Sequence, residues 1–283
     1  MALFDTTGID LSGQVAVVTG GGRGLGRAMA QALSAAGAKV AVVARTQAQL
    51  AETVDLIRKD GGHVLAVPTD ITDRQAVETM VRTVQRELGP ADILVNNAGV
   101  VGVPGPIWEV APEDWRHTLD VNLHGAFLCG VTVLKGMVER NRGRIINVAS
   151  GAALAPIPYG SGYCVSKAAL ARLTECIAAD GKAHGIIAFA IDPGSVRTAM
   201  TEYLIESVEG QTYLPWYRKL ILEGGDVPAD LSANLVALLA SGRLDSLSGR
   251  FISVFDDIDQ LILHAEQIAQ DDSYTLRLRK LSC

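Results

Sequence analysis

The 283-residue sequence predicts a doubly wound α/β fold, a mainly seven-stranded parallel sheet with helices on both faces and a C-terminal helical extension. Three observations point there. Short β-branched runs alternate with longer helical stretches, the pattern of parallel strands covered on both faces. The first such run ends in a cluster of glycines. The chain also carries 29 glycines against five Phe, six Tyr and three Trp, about 10% glycine where ~7% is usual, in keeping with tight strand–helix turns.

The elements follow in order. Residues 15–19 (VAVVT) read as a buried strand and 25–36 as a helix stopped by Gly37. Residues 40–44 (VAVVA) form a second strand, 47–59 a helix stopped by Gly61 and Gly62, and 64–67 a third strand. A helix over 73–88, with Thr72 or Asp73 as cap, leads to a strand at 93–95 and one long helix from about 113 to 140. Residues 144–148 (RIINV) are the fifth strand, 163–184 a helix and 186–191 (IIAFAI) the sixth strand. An irregular stretch, a helix at 228–240 and a strand at 251–254 complete the pattern. No repeat, linker or second-domain boundary interrupts it, so a single domain is expected. Its core runs over about 13–254 and its extension over 255–283.

Composition narrows the function. With 25 Lys+Arg against 31 Asp+Glu, the net charge is −6, and no basic run exists to neutralise phosphates, so nucleic acid is excluded as a partner. No uninterrupted apolar run approaches the ~18 residues a membrane span needs. The N-terminal MALFDTTGIDLSG lacks the basic and apolar regions of a secretion signal. Cysteines 129, 164, 176 and 283 show no CxxC spacing, Cys129 and Cys176 reading as small core residues, so a cytoplasmic location is expected. Histidines 63, 117, 124, 184 and 264 have no ligand spacing and read as structural or surface; no metal is expected.

The first strand runs into Thr19-Gly20-Gly21-Gly22-Arg23-Gly24-Leu25-Gly26. Gly20 suits the tight turn, Gly24 a close approach to pyrophosphate at a helix N-terminus, and Gly26 close helix–strand packing. This is the dinucleotide-binding turn of a Rossmann-type fold, with Gly22 and Leu25 also on the cofactor side. The second strand ends in Ala44-Arg45, where an NAD site usually has a carboxylate for the ribose 2′-hydroxyl. Arg23 and Arg45 suit a 2′-phosphate, so NADP(H) is the expected cofactor, with NAD(H) as the alternative.

From about residue 13 to residue 254 the chain resembles the short-chain dehydrogenase/reductase family. The motifs occur in order: the glycine turn at 19–26, Asp70, NNAG at 96–99, Asn122 in DVNLHGAF, Ser150, Tyr163 with Lys167, and Pro193-Gly194. Ser150 precedes Tyr163 by the family's usual spacing. The resemblance implies reversible hydride transfer between a carbonyl and an alcohol, with a small-molecule ketone or aldehyde as partner. Tyr163 would be the acid/base. Lys167, one helical turn away, would depress the tyrosine pKa and hold the nicotinamide ribose. Ser150 would bind the substrate oxygen, and Asn122 would anchor a water that links Lys167 to solvent.

On the cofactor side, Asp70 and the Ile71 N–H would hold adenine, and Asn97, Ala98 and Gly99 would let the cofactor pass close, with Asn96 tying strands. Val196 N–H and the Thr198 hydroxyl, in a loop resembling PGxxxT after Pro193 and Gly194, would fix the carboxamide. Relatives commonly form tetramers through helices corresponding to 113–140 and 163–184, so a homo-oligomer, tetramer or dimer, is expected. A catalytically inactive cofactor-binding relative and an NAD-dependent alcohol dehydrogenase are the alternatives.

The chain departs from the family at Phe189, at Asp192 before the proline, and at Phe255-Asp256-Asp257. Residues 258, 261, 262, 265 and 268 place an apolar stripe at helical spacing beyond the last strand, on the same subunit or on a neighbour. The segment 195–227 carries Tyr203, Tyr213, Trp216 and Tyr217, and the stretches 151–156 and 100–106 are poor in polar groups. Such walls suit an apolar or aromatic carbonyl.

Overall fold

A computed structural model describes residues 4–278; Met1, Ala2, Leu3 and the last five residues, Cys283 among them, lie outside the described residues. Seven parallel strands form one sheet: β1 (Val15–Thr19), β2 (Lys39–Ala44), β3 (Val64–Pro68), β4 (Ile93–Asn96), β5 (Gly143–Val148), β6 (Ile186–Asp192) and β7 (Phe251–Ser253). Their order is β3-β2-β1-β4-β5-β6-β7, so the direction of winding reverses between β1 and β4. A crevice opens at the carboxyl ends of strands at such a switch.

Alternation along each strand sends neighbouring side chains to opposite faces. Ala16, Val18, Val40, Val42, Ile146 and Phe189 join one core, which takes in α1 (Gly24–Ala35) and α10 (Ala229–Ala240). Val15, Val17, Ala41, Val43, Leu94 and Ile145 join the other, with α3 (Arg74–Glu87) and α5 (Ala126–Glu139). Phe189 is fully buried and paired in register with Ile146, so this departure fills the core. Asp73 caps α3, its Oδ1 accepting from the Gln75 and Ala76 N–H groups.

Three regions differ from the sequence reading. The long helix over 113–140 is α4 (Pro112–Leu119), a wider π-helical turn (Asp120–Gly125) and α5 in succession. As one run it is long and apolar enough to cross a membrane by composition alone, yet Leu128, Cys129, Val133 and Met137 pack in the core. The expected irregular stretch contains α7 (Ala199–Glu206), α8 (Val208–Tyr213) and α9 (Pro215–Leu222). Their start signals are legible afterwards: Thr198 and Ser207 cap the first two, and Pro215 opens the third. The apolar stripe of the extension is split at His264 into α11 (Ile258–Leu263) and α12 (Ala265–Gln270). Ile258, Leu261 and Ile268 enter the α1–α10 core of the same chain, while Ile262 is exposed.

Two helices complete the layers. α2 (Gln47–Lys59) sends Leu50, Val54 and Ile57 into the first core. α6 (Ser161–Gly181) lies beside α4, where Gly162 leaves room for Trp115. Cys129 is buried, which pushes its thiol up to about 12. Cys176 is exposed, against the core reading, because it lies on the outer side of α6 in a shallow groove with Phe127, Val131 and Leu173.

Candidate active site

A cleft of about 490 Å³ opens at the switch point. Of the residues expected there, Gly20, Gly22, Arg23, Gly24, Leu25, Gly26, Arg45, Asp70, Ile71, Asn97, Ala98, Gly99, Tyr163, Lys167, Pro193 and Thr198 line it. Asn122, Ser150, Gly194 and Val196 stand behind or beside that lining.

The glycine turn is a cradle that side chains would fill. A Cβ on Gly26 would fall 2.2 Å from the Gly20 carbonyl oxygen, so no other residue lets α1 start so close to β1. Gly24 has φ +53, the left-handed region that favours glycine. No side chain caps α1, which leaves its first N–H groups directed at the cleft, where the helix dipole favours an anion. The residues present therefore fit a dinucleotide pyrophosphate. At the end of β2, Arg45 and, across the cleft, Arg23 are exposed and enter no ion pair among the described residues. Asp70 Oδ1 accepts from the Thr72 N–H at 2.9 Å and hydroxyl at 2.8 Å. The Thr72 N–H, with Arg45 nearby, holds this carboxyl below the usual range.

The end of β4 is pinned to β1. The Thr19 hydroxyl accepts from the Asn97 and Ala98 N–H groups at 3.0 and 3.1 Å, and Asn97 Nδ2 donates to the Thr19 carbonyl at 2.9 Å. Deeper in the sheet, Asn96 Nδ2 donates to Asn147 Oδ1 at 2.9 Å. Thr19 and Asn147 escaped the sequence reading; their signal was a lone polar side chain near the end of an apolar strand run. Thr69, Thr72, His117 and Met200 also line the cleft, with His117 exposed as expected.

Lys167 projects from α6 and is buried, its Nζ donating to the Val148 carbonyl at 2.7 Å and lying 5.6 Å from the Tyr163 ring centroid. Burial lowers its pKa to about 8. The Tyr163 phenol moves the other way, to about 12: burial raises it, the Ser150 hydroxyl opposes that, and Tyr217 and Asp192 add to the rise. Lys167 is not among the groups that set this balance. The Val148 carbonyl takes one of the three hydrogens on Lys167 Nζ, which leaves two for other partners.

Ser150 caps the short turn Gly151–Ala153, its Oγ accepting from the Ala152 N–H at 3.2 Å. Asn122, in the π turn, accepts from Val100 N–H and donates to both Val100 O and Ser166 Oγ. Both of its amide hydrogens are therefore taken by protein. A Cβ on Gly99 would stand 3.1 Å from Asn122 Oδ1 and 3.7 Å from Lys167 Nζ, so glycine is what brings these groups together.

In the following loop, Gly194 N–H donates to Asp192 Oδ1 at 3.2 Å, Val196 is buried, and Thr198 is engaged with Thr201 in a capping box. Beyond Tyr163, Tyr159 and Tyr213 pack with ring centroids 5.1 Å apart and Trp216 meets Tyr217 edge-on at 5.5 Å. Tyr217 turns inward, its hydroxyl on Ser195; Tyr203 and Trp216 are exposed. Among the described residues, no group of three or more His, Cys, Asp or Glu could hold a metal ion.

The family model described as short chain dehydrogenase matches residues 14–209. The chain is 35% identical over 267 residues to a short chain dehydrogenase of Pseudocercospora fijiensis, covering 91% of this chain and 85% of that one. Among solved structures it is similar to levodione reductase, with TM-score 0.80 and 29% identity over 86% of this chain and 96% of that one. It is also similar to an actinorhodin polyketide ketoreductase variant solved with NADPH, with TM-score 0.78 and 30% identity over 85% and 95%.

Proposed function

The chain belongs to the short chain dehydrogenase family, oxidoreductases acting on CH–OH and C=O groups, and from that premise we propose that it is an NADP(H)-dependent reductase of apolar or aromatic ketones. The observation that carries the chemistry is the half-buried Tyr163 phenol beside the Ser150 hydroxyl with the Lys167 ammonium 5.6 Å from its ring. The Tyr163 phenol carries a proton at neutral pH and is the acid that protonates a carbonyl oxygen, although its raised pKa makes it a weaker acid than a free phenol. Ser150 donates a hydrogen bond to the same oxygen as charge develops on it. Lys167, with its pKa near 8, is charged at neutral pH and stabilises the phenolate left behind. When bound, the nicotinamide supplies the hydride in reduction and accepts it in the reverse direction. Asn122 acts as a positioning residue, bracing Val100 and Ser166 on either side of Gly99 and Lys167.

Gly20, Gly22, Gly24, Leu25 and Gly26 would carry the pyrophosphate, Asp70 and Ile71 the adenine, Asn97, Ala98 and Gly99 the passing ribose, and Pro193, Gly194, Val196 and Thr198 the carboxamide. Arg23 and Arg45, unpaired and without a carboxylate at the end of β2, support the 2′-phosphate reading. Structural relatives described with NADPH or NADP support it too. The apolar side chains of 152–156 and the Tyr159–Tyr213 pair support an apolar carbonyl, and two relatives bear the names levodione reductase and polyketide ketoreductase. A panel of ketones and alcohols assayed with NADPH, NADH and their oxidised forms tests the whole reading. Turnover confined to sugars or polyols refutes the substrate class, and equal use of NADH refutes the cofactor preference. The groove of about 230 Å³ between α5 and α6, flanked by exposed Phe127 and Val131, supports a second copy of the chain as partner; light scattering would show a monomer if this is wrong.

A further inference from the structure

β6 ends in a carboxylate for which the chemistry above has no use. Asp192 is in register with Ser253 of β7, one residue beyond Ile191, whose carbonyl accepts the Ala149 N–H at 2.8 Å. Ser150 comes next along that neighbouring chain. Asp192 Oδ1 accepts from the Gly194 N–H at 3.2 Å, and Oδ2 accepts from the Ser253 hydroxyl at 3.3 Å. A carboxylate oxygen takes two hydrogen bonds, so each retains an acceptor position.

No ion pair reaches Asp192 among the described residues; Arg197 and Arg250 on the flanking segments are held by Glu202 and Asp272. A Cβ added to Gly151 would lie 3.4 Å from Asp192 Oδ2. This oxygen therefore faces the bare glycine backbone of the residue that follows Ser150. A second carboxyl, Asp256, is held on Ser253, its Oδ2 accepting the Ser253 N–H at 2.7 Å. A substrate with its own carboxylate would be repelled there, whereas a hydroxyl would meet an acceptor.

Resting on the ketone-reductase reading, we propose that Asp192 determines specificity by accepting a hydrogen bond from a second hydroxyl of the substrate, so that the preferred substrate is a hydroxy ketone and the corresponding product a diol. The reacting oxygen lies at Ser150 and Tyr163, and the extra hydroxyl points past Gly151 to Oδ2. The walls remain apolar, with this carboxylate as the polar contact that orients the ring.

The test measures kcat/KM with NADPH for 2-hydroxycyclohexanone and for cyclohexanone, read as a ratio. The wild type favours the hydroxy ketone. Asp192→Asn lowers that ratio about 10-fold or more, the size of one hydrogen bond to a charged group. Gly151→Ala, which keeps the carboxylate but blocks the approach to it, lowers the ratio as well. A wild-type ratio of one or less, an unchanged ratio in both variants, or equal loss on both ketones overturns the anchor and leaves the reductase reading standing. Turnover of neither ketone by the wild type, with NADPH or NADH, overturns the reductase reading and the anchor with it.

Discussion

The half of the molecule around β1 to β4 and the half around β5 to β7 hold their functional residues by different means. In the first half, a short local segment does the work: the glycines of the turn, the uncapped start of α1 and the Thr19–Asn97 tie lie within or directly against one strand–turn–helix unit. In the second half, Lys167 rests on Val148, Asp192 on Ser253, and β7 on a C-terminal segment whose Tyr274 carbonyl accepts the Phe251 N–H at 2.8 Å. The contrast teaches that the binding of a common cofactor can be written locally. The proposed substrate contacts rest instead on segments brought from distant parts of the chain. The family match itself, residues 14–209, ends within α8 and so leaves α9, β7 and the extension outside it.

Four perturbations break or sharpen this contrast. The largest effect is expected for Tyr163→Phe, which removes the proposed acid: kcat falls about 10²–10⁴-fold while NADPH still quenches or shifts the protein fluorescence. Loss of both signals together would show that the two halves are not separable. Next comes Leu261→Ala, in an extension that the first half does not contact through its glycine turn. Its side chain is 3% exposed in the α1–α10 core, so a loss of about 2–5 kcal/mol is expected in urea unfolding. A change below ~0.5 kcal/mol would mean that the extension does not help to hold the core.

Arg45→Asp acts on the first half alone. It should move the NADPH/NADH preference about 10–100-fold toward NADH, the worth of a charge-assisted contact, with the ratio of one ketone to another unchanged. An unchanged cofactor preference refutes the phosphate role. The smallest effect is the pH dependence of stability contributed by Lys167. Its folded pKa, about 8, lies below the unfolded ~10.4, so between these values the unfolded state binds more protons. Stability therefore rises with pH from about 8 toward 10, by roughly 1–2 kcal/mol. Tyr163, raised to about 12, contributes stability that is lost only above its unfolded value of ~10. Chemical denaturation of wild type and Lys167→Met at pH 8 and 9.5 checks the sign: the variant should lack the rise.

Much of this arrangement was legible beforehand, and the exceptions have physical causes. Strand runs such as 15–19 and helix 47–59 are local signals, and both were placed at their structural bounds. The single helix over 113–140 was not, because a π turn adds one residue without changing composition, and Gly125 at its end sits where a Cβ would strike Ile71. The three helices after Thr198 were missed because each is short and the aromatic content suggested a loop. Spacing puts the Lys167 ammonium one turn from Tyr163 but says nothing of the Val148 carbonyl that binds it.

The sequence by itself determined the alternation of strands and helices and the glycine turn, since these rest on steric and hydrogen-bonding preferences of neighbouring residues, and it carried the order of the candidate catalytic residues. Only the tertiary structure decided that Lys167 faces the Val148 carbonyl, that Asp192 reaches Ser253 beside Gly151, and that the extension packs into the core of its own chain. Those outcomes depend on burial and on contacts between segments far apart in the chain, and neither is carried by any one stretch of sequence.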